Sequence, residues 1–313
     1  MRIAIVGCGA MGSIYAGLLA SAGHEVAVVV AREAQADAIN DGGLRVEGAS
    51  GDRTVRVVAA THVPSEPVDL TVVAVKATQI AAIAPALARL IGQQTAVVTI
   101  QNGVGSADTI AQHVPSDRIC VGIAAAFGAA MVAPNHVFHN GMNAIRLGPY
   151  KDMPFARVVE IADAWTQAGF KAEAVRDVAV MQWEKLICNV AYSAPCALTG
   201  LTVGELMDDL DMGPISRAAA IEAWTVARAL AIPIGVTDPV AHIRAFAAGM
   251  PDARPSLLQD IEQRRRSEID VINGAIPAAA TRVGLEAPVN GTLVALVKVL
   301  ERHFPMPANK LVS

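Results

Sequence analysis

Residues 1–30, MRIAIVGCGAMGSIYAGLLASAGHEVAVVV, constrain the fold more than any other stretch. Ile3, Ala4, Ile5 and Val6 form a short apolar run of the kind a buried parallel strand presents. Gly7, Gly9 and Gly12 follow at G-x-G-x-x-G spacing, then Ile14, Leu18 and Leu19 at helical spacing. Gly23 ends that helix, and residues 26–30 read as a second buried strand. In a dinucleotide site, Gly7 permits the tight turn, Gly9 admits a pyrophosphate to the backbone, and Gly12 lets helix pack closely on strand. The helix N-terminus adds free N–H groups and a partial positive charge. The plain alternative is a strand-to-helix turn that binds nothing.

Bulk properties exclude several classes. The 313 residues suffice for two domains or one large one. Hydrophobic residues make up 53%, and mean hydropathy is +0.41, but the excess is spread through alanine and valine. No uninterrupted apolar run reaches the ~18 residues a bilayer span needs, so no membrane association is expected. The N-terminus opens on a strand and a glycine turn, not on a signal peptide. A net charge of −4 and pI near 6.0 argue against a nucleic-acid partner. Cys8, Cys120, Cys188 and Cys196 lack C-x-x-C spacing and read as buried free thiols of a cytoplasmic protein. No metal-ligand cluster is visible, so no metal is expected.

Arg32 falls just past the second strand, where a cation would meet a 2′-phosphate, which favours NADP over NAD. Glu33 is the competing reading, as a ribose ligand. Residues 68–75, VDLTVVAV, form a third strand signal ending at Lys76, and residues 80–90 an alanine-rich helix. Residues 96–100 form another strand, with Gln101, Asn102 and Gly103 at its carboxyl end, where ligands of open α/β sheets bind. Residues 119–125 form a further strand. Residues 135–148 read as a hairpin turned at Asn140-Gly141. His136 and His139 there fall on opposite strand faces, unsuited to a shared metal. A helix over 158–169 and a short strand over 171–175 complete this half.

After residue 176 helical signals replace the alternation: 177–194, 214–231, 238–248, 256–280 and 289–303. An all-α second domain is expected, with substrate in the cleft between the two. Lys185 shares a helical face with Val178, Met181 and Cys188, and Asn189 stands one turn on. A lysine there either snorkels to water or holds an anion and gives a proton. In the helix from 256, Glu268 interrupts a stripe of Leu257, Ile261 and Ile272, with Lys185 or a neighbouring arginine as its partner. Ser256 and Gln259 have capping-box spacing, so Ser256 reads as an N-cap or as a seat for a carboxylate.

Together these residues resemble the ketopantoate reductase (2-dehydropantoate 2-reductase) family over nearly the whole chain. The resemblance rests on GCGAMG at 7–12, Arg32, VVAVKATQ at 72–79, QNGVG at 101–105, WEKLICN at 183–189 and SLLQDIEQRRRSEIDVINGA at 256–275. It implies an α/β fold: a Rossmann-type NADP-binding domain over 1–176 and an all-α substrate and dimerisation domain over 177–313, with a homodimer among the expectations. It implies NADPH as hydride donor, a small oxo-acid as substrate and a place in pantothenate biosynthesis. By it, Lys185 is the general acid, with Glu268 beside cofactor and substrate. Gly7, Cys8, Gly9, Ala10, Met11 and Gly12, with Arg32, Lys76, Asn102, Ala130 and Glu268, would bind cofactor. Asn102, Lys185, Asn189, Ser193 and Ser256 would contact substrate. Two positions depart from the pattern: the family's Asn-Pro pair is replaced around Ser193, and Val203 stands where some members place a substrate-contacting asparagine. Reduction of a different 2-oxo or 3-oxo acid is therefore the alternative, and a non-catalytic NADP sensor a more distant one.

Overall fold

The structure, a computed structural model, describes residues 1–125, 128–141 and 144–304. The described residues form two compact units: residues 1–101 with 106–178, and residues 102–105 with 179–304. Residues 102–105, embedded in the first half of the sequence, thus pack with the second unit.

In the first unit, the strands are β1 (Arg2–Val6), β2 (Glu25–Val29), β3 (Leu44–Gly48), β4 (Arg53–Val55), β5 (Val58–Ala60), β6 (Leu70–Val73), β7 (Ala96–Thr99), β8 (Ile119–Ala125), β9 (Gly128–Ala133), β10 (His136–Gly141), β11 (Ala144–Pro149) and β12 (Ala172–Ala174). The helices are α1 (Ala10–Ser21), α2 (Glu33–Gly42), α3 (Ile80–Leu87), α4 (Ser106–Ile110) and α5 (Phe155–Gln167). The main sheet runs β12-β11-β8-β7-β6-β1-β2-β5. Strands β8 to β5 in that order are parallel, and β11 joins antiparallel to β8. Its central members β6 and β7 are buried at every residue, as strands covered on both faces must be.

A second sheet, β4-β3-β10-β9, was not legible in the sequence. It corrects the expected hairpin over 135–148: β10 pairs with β3 and β9, whereas β11 pairs with β8 and β12 in the main sheet. Residues 142–143 lie outside the described ones. An Asn-Gly pair favours a turn but cannot choose the partner strand, which here is set by long-range pairing. Helix α1 touches strands of both sheets, which is why Gly12 to Leu19 are all buried. His136 meets Glu47 and His139 meets Ser50, so the two rings have separate partners.

The second unit is helical: α6 (Val178–Thr199), α7 (Val203–Asp208), α8 (Met212–Ala229), α9 (Pro239–Gly249), α10 (Ser256–Glu262), α11 (Ala275–Thr281) and α12 (Pro288–Glu301). Buried faces of α6, α7, α8 and α12 supply Leu186, Val190, Leu206, Ala223 and Leu293 to its core. A buried polar knot ties the helices together. Asn273 donates to Val190 O and to Asn290 Oδ1, and Glu222 of α8 accepts the first-turn amides of Val289 and Asn290 in α12.

The expected continuous helix over 256–280 is broken. α10 ends at Glu262, and Arg264 adopts φ 51°, a left-handed conformation that stops a helix. Ser267 is then held by Glu301 of α12, which accepts its N–H at 2.8 Å and its Oγ–H at 2.5 Å. Glu268 therefore belongs to a turn, not to the expected helical stripe. The capping box at Ser256 is also absent: Ser256 is the first residue of α10, Pro255 is the N-cap, and Gln259 donates to Arg254 O. Among the described residues no helix is long and apolar enough to cross a membrane.

Candidate active site

Each unit gathers its own group of the candidate residues. In the first, Gly7 has φ 102°, and a Cβ there would lie 2.5 Å from Val75 N. Gly7 N–H and Cys8 N–H both donate to Val29 O at the end of β2. A Cβ on Gly12 would lie 2.0 Å from Gly7 O, so the helix can approach only because Gly12 lacks one. At Gly9 the same construction meets nothing within 4 Å. Gly9 is the N-cap of α1 and brings no side-chain cap, so the first-turn amides of α1 receive no side-chain acceptor from it. Two glycines are thus needed by the protein's own packing, whereas no packing contact requires a glycine at position 9. This fits a dinucleotide.

The Cys8 thiol lies beside Ser13 Oγ, and burial pushes it up to about 11, too high to act as a nucleophile. Burial likewise pushes Cys120, Cys188 and Cys196 up to about 12. Arg32 is exposed at the N-cap of α2, just past β2. Glu33 is engaged elsewhere: its Oε1 accepts the Thr61 hydroxyl at 2.7 Å. Lys76 follows Val75, which packs on Gly7, so it lies close to the glycine turn. Ala130 is exposed on β9, the edge strand of the small sheet, whose Met131 sulfur accepts from Ser13 of α1.

Two glutamines complete this group. Gln35 of α2 is buried and donates to Cys8 O at 2.8 Å. Gln101 donates to Val73 O and Val75 O, clamping the ends of β6 and β7. The signal for Gln35 was an amide placed against the apolar Ala36 and Ile39; for Gln101 the sequence showed only its strand-end position.

In the second unit three separated residues meet. Lys185 Nζ donates to Asn102 Oδ1 at 3.1 Å, and Asn102 Nδ2 reaches Glu268 Oε2 at 3.5 Å. Gly103 makes this possible. It has φ 79°, and a Cβ there would lie 2.0 Å from Val271 O, so the 102–105 segment beds directly on the turn that carries Glu268. Val104 N–H then donates to Val271 O. Burial lowers Lys185 to about 8, and the Glu268 carboxylate opposes that shift. The result is an ammonium that can release its proton close to neutral pH.

Asn189 and Ser193 follow Lys185 on α6 at successive four-residue steps, hence along one face. No hydrogen bond of either side chain is found among the described residues. Ser256 is exposed at the start of α10. Val203 is 1% exposed and packs in the core of this unit, so it is a structural residue here. Arg265 pairs with Asp260. Among the described residues no three His, Cys, Asp or Glu side chains gather to hold a metal.

Comparison with known proteins gives the same outline. The family described as ketopantoate reductase PanE/ApbA matches residues 3–152, and its C-terminal counterpart matches residues 177–301. A 2-dehydropantoate 2-reductase of Archaeoglobus fulgidus is 31% identical over 300 residues, 96% of this chain and 98% of that protein. The crystal structure of a PanE/ApbA family ketopantoate reductase from Ralstonia eutropha JMP134 superposes with TM-score 0.87 at 33% identity, covering 96% of this chain and 99% of the other. A ternary structure of D-mandelate dehydrogenase with NADH and anilino(oxo)acetate gives TM-score 0.88 at 26% identity, covering 96% and 98%. With both halves matched in order, and with a strand-to-helix glycine turn in one and a half-buried lysine in the other, the chain belongs to the ketopantoate reductase family.

Proposed function

We propose that the protein is an NADPH-dependent oxidoreductase that reduces 2-dehydropantoate to pantoate, a step of pantothenate and coenzyme A synthesis. The observation that carries this reading is the Lys185–Asn102–Glu268 chain. When bound, NADPH supplies the hydride. As the ketone carbon accepts it, negative charge develops on oxygen. Lys185 stabilises that charge and then gives the oxygen its proton. Asn102 aims the ammonium, and Glu268 keeps it protonated until it is needed. Asn189, Ser193 and Ser256 take the substrate's polar groups. Gly7, Cys8, Gly9, Ala10, Met11 and Gly12 receive the pyrophosphate, Arg32 the 2′-phosphate, and Lys76 and Ala130 complete the cofactor side. The enzyme acts in the cytoplasm on a small-molecule substrate, as a homodimer formed through the helical half.

A second reading, reduction of a different 2-oxo or 3-oxo acid on the same machinery, is favoured by the loss of the family's Asn-Pro pair around Ser193. The test is NADPH oxidation by the purified protein with 2-dehydropantoate from micromolar to millimolar levels. Saturation at low concentration is expected. Activity only at millimolar levels moves the substrate to another oxo-acid, and binding of NADPH without any oxidation makes the protein a sensor.

A further inference from the structure

The glycine turn is held from a second helix. Gln35, 7% exposed, lies in the first turn of α2 and donates its side-chain N–H to Cys8 O at 2.8 Å. The Cys8 N–H is fixed on the other side by Val29 O at 3.0 Å. A trans peptide holds its C=O and the next N–H in opposite directions. A Cys8 carbonyl locked onto Gln35 therefore turns the Gly9 N–H away from α2. That N–H makes no hydrogen bond among the described residues, and Gly9 is the position where an added Cβ would meet no atom within 4 Å.

We infer that Gln35 is a positioning residue for the cofactor: by gripping the Cys8 carbonyl it presents the Gly9 amide to the pyrophosphate. This rests on the dinucleotide reading of the glycine turn. It has a consequence that a general packing role lacks. Arg32 and Gln35 sit in the same turn of α2, yet they would serve different parts of the ligand. Loss of Arg32 should weaken NADPH more than NADH. Loss of Gln35 should weaken both alike, because the pyrophosphate is common to them.

The test is calorimetric titration of wild type, Gln35→Met and Arg32→Ala with NADPH, NADH and 2′-AMP, which has no pyrophosphate. Melting temperatures are measured in parallel. Gln35→Met keeps the volume and removes the donor. It is expected to weaken NADPH and NADH by a common factor on the order of tenfold, the scale of one lost hydrogen bond to a buried carbonyl. Binding of 2′-AMP should change by less than about twofold, as no pyrophosphate contact is lost. Unchanged NADPH affinity overturns the inference, as does an equal loss for 2′-AMP, which would make Gln35 a structural support of α2. A wild type that binds neither dinucleotide overturns the parent reading and this one with it.

Gln35→Glu serves if the methionine variant does not fold. Its carboxyl can donate to Cys8 O only when protonated, so its NADP⁺ affinity relative to wild type should rise as pH falls from 8 to 5. A ratio that stays flat across that range overturns the inference.

Discussion

A lysine that must donate a proton near neutrality has to lose part of its hydration without losing its charge altogether. Lys185 meets both demands: burial lowers it from 10.5 to about 8, and Glu268 limits the fall. Because its folded pKa is depressed, the charged form costs stability below pH about 8, and that cost is relieved as pH rises towards 10.5. With Lys185 in the proposed role, activity runs the other way, since reduction then draws on its proton. The kcat for reduction should fall as pH rises through about 8. Lys185→Ala should reduce kcat on the order of 10²-fold or more and abolish that alkaline limb; near-wild-type turnover would remove Lys185 from the chemistry. Glu268→Gln separates the two partners. It removes the charge that raises the lysine, so the alkaline limb should move to lower pH, a shift read directly from pH–rate profiles. An unmoved limb would mean that Glu268 does not act on Lys185. The sequence pointed to both residues, but it placed Glu268 on a helical stripe. The left-handed Arg264 and the grip of Glu301 on Ser267 put it on a turn instead. Neither is a local propensity, and so neither could be read from the RRRSE run alone.

At the scale of elements, the glycine turn separates what the fold needs from what a ligand needs. Gly12→Ala drives a methyl group into Gly7 O at the crossing of α1 and β1, where the backbone on both sides is fixed. It should lower stability by about 1–3 kcal/mol, the cost of overpacking a tight contact. Gly9→Ala meets no protein atom, and at φ −78° its backbone suits any residue. It should leave the melting temperature unchanged and weaken NADPH binding, because the new methyl occupies the space open to phosphate. Thermal melts and NADPH titrations of the two variants check the pair; equal melting temperatures would show that the crossing is looser than its geometry. The strand–turn–helix unit was legible because its signals are local: an apolar run, spaced glycines and a 3.6-residue repeat. The small sheet was not, because β3 and β10 are about ninety residues apart and β9 is largely exposed. One clue was present. α1 carries no charged residue between Gly12 and Leu19, and a helix without a charged face needs cover on more than one side.

On the scale of the whole molecule, architecture does not choose the substrate. The chain superposes equally well on a ketopantoate reductase and on a D-mandelate dehydrogenase, with TM-scores of 0.87 and 0.88. The choice falls to a few side chains, and here the face of α6 is informative. Beyond Lys185 it carries the Asn189 amide and the Ser193 hydroxyl, neither bonded to another described residue. A substrate that brings a hydroxyl, as 2-dehydropantoate does at its far end, can engage them. An aryl oxo-acid such as phenylglyoxylate would cover them with a ring and leave polar groups desolvated and unpaired. Each such group costs about 1–3 kcal/mol, so the preference in kcat/KM for 2-dehydropantoate should be at least about tenfold. Side-by-side NADPH oxidation with the two acids measures it directly. Ser193→Ala should narrow the gap from the 2-dehydropantoate side, since the ring has no use for the hydroxyl. A preference for phenylglyoxylate would leave Lys185 and the glycine turn with their roles and reassign the face of α6 to an apolar substrate.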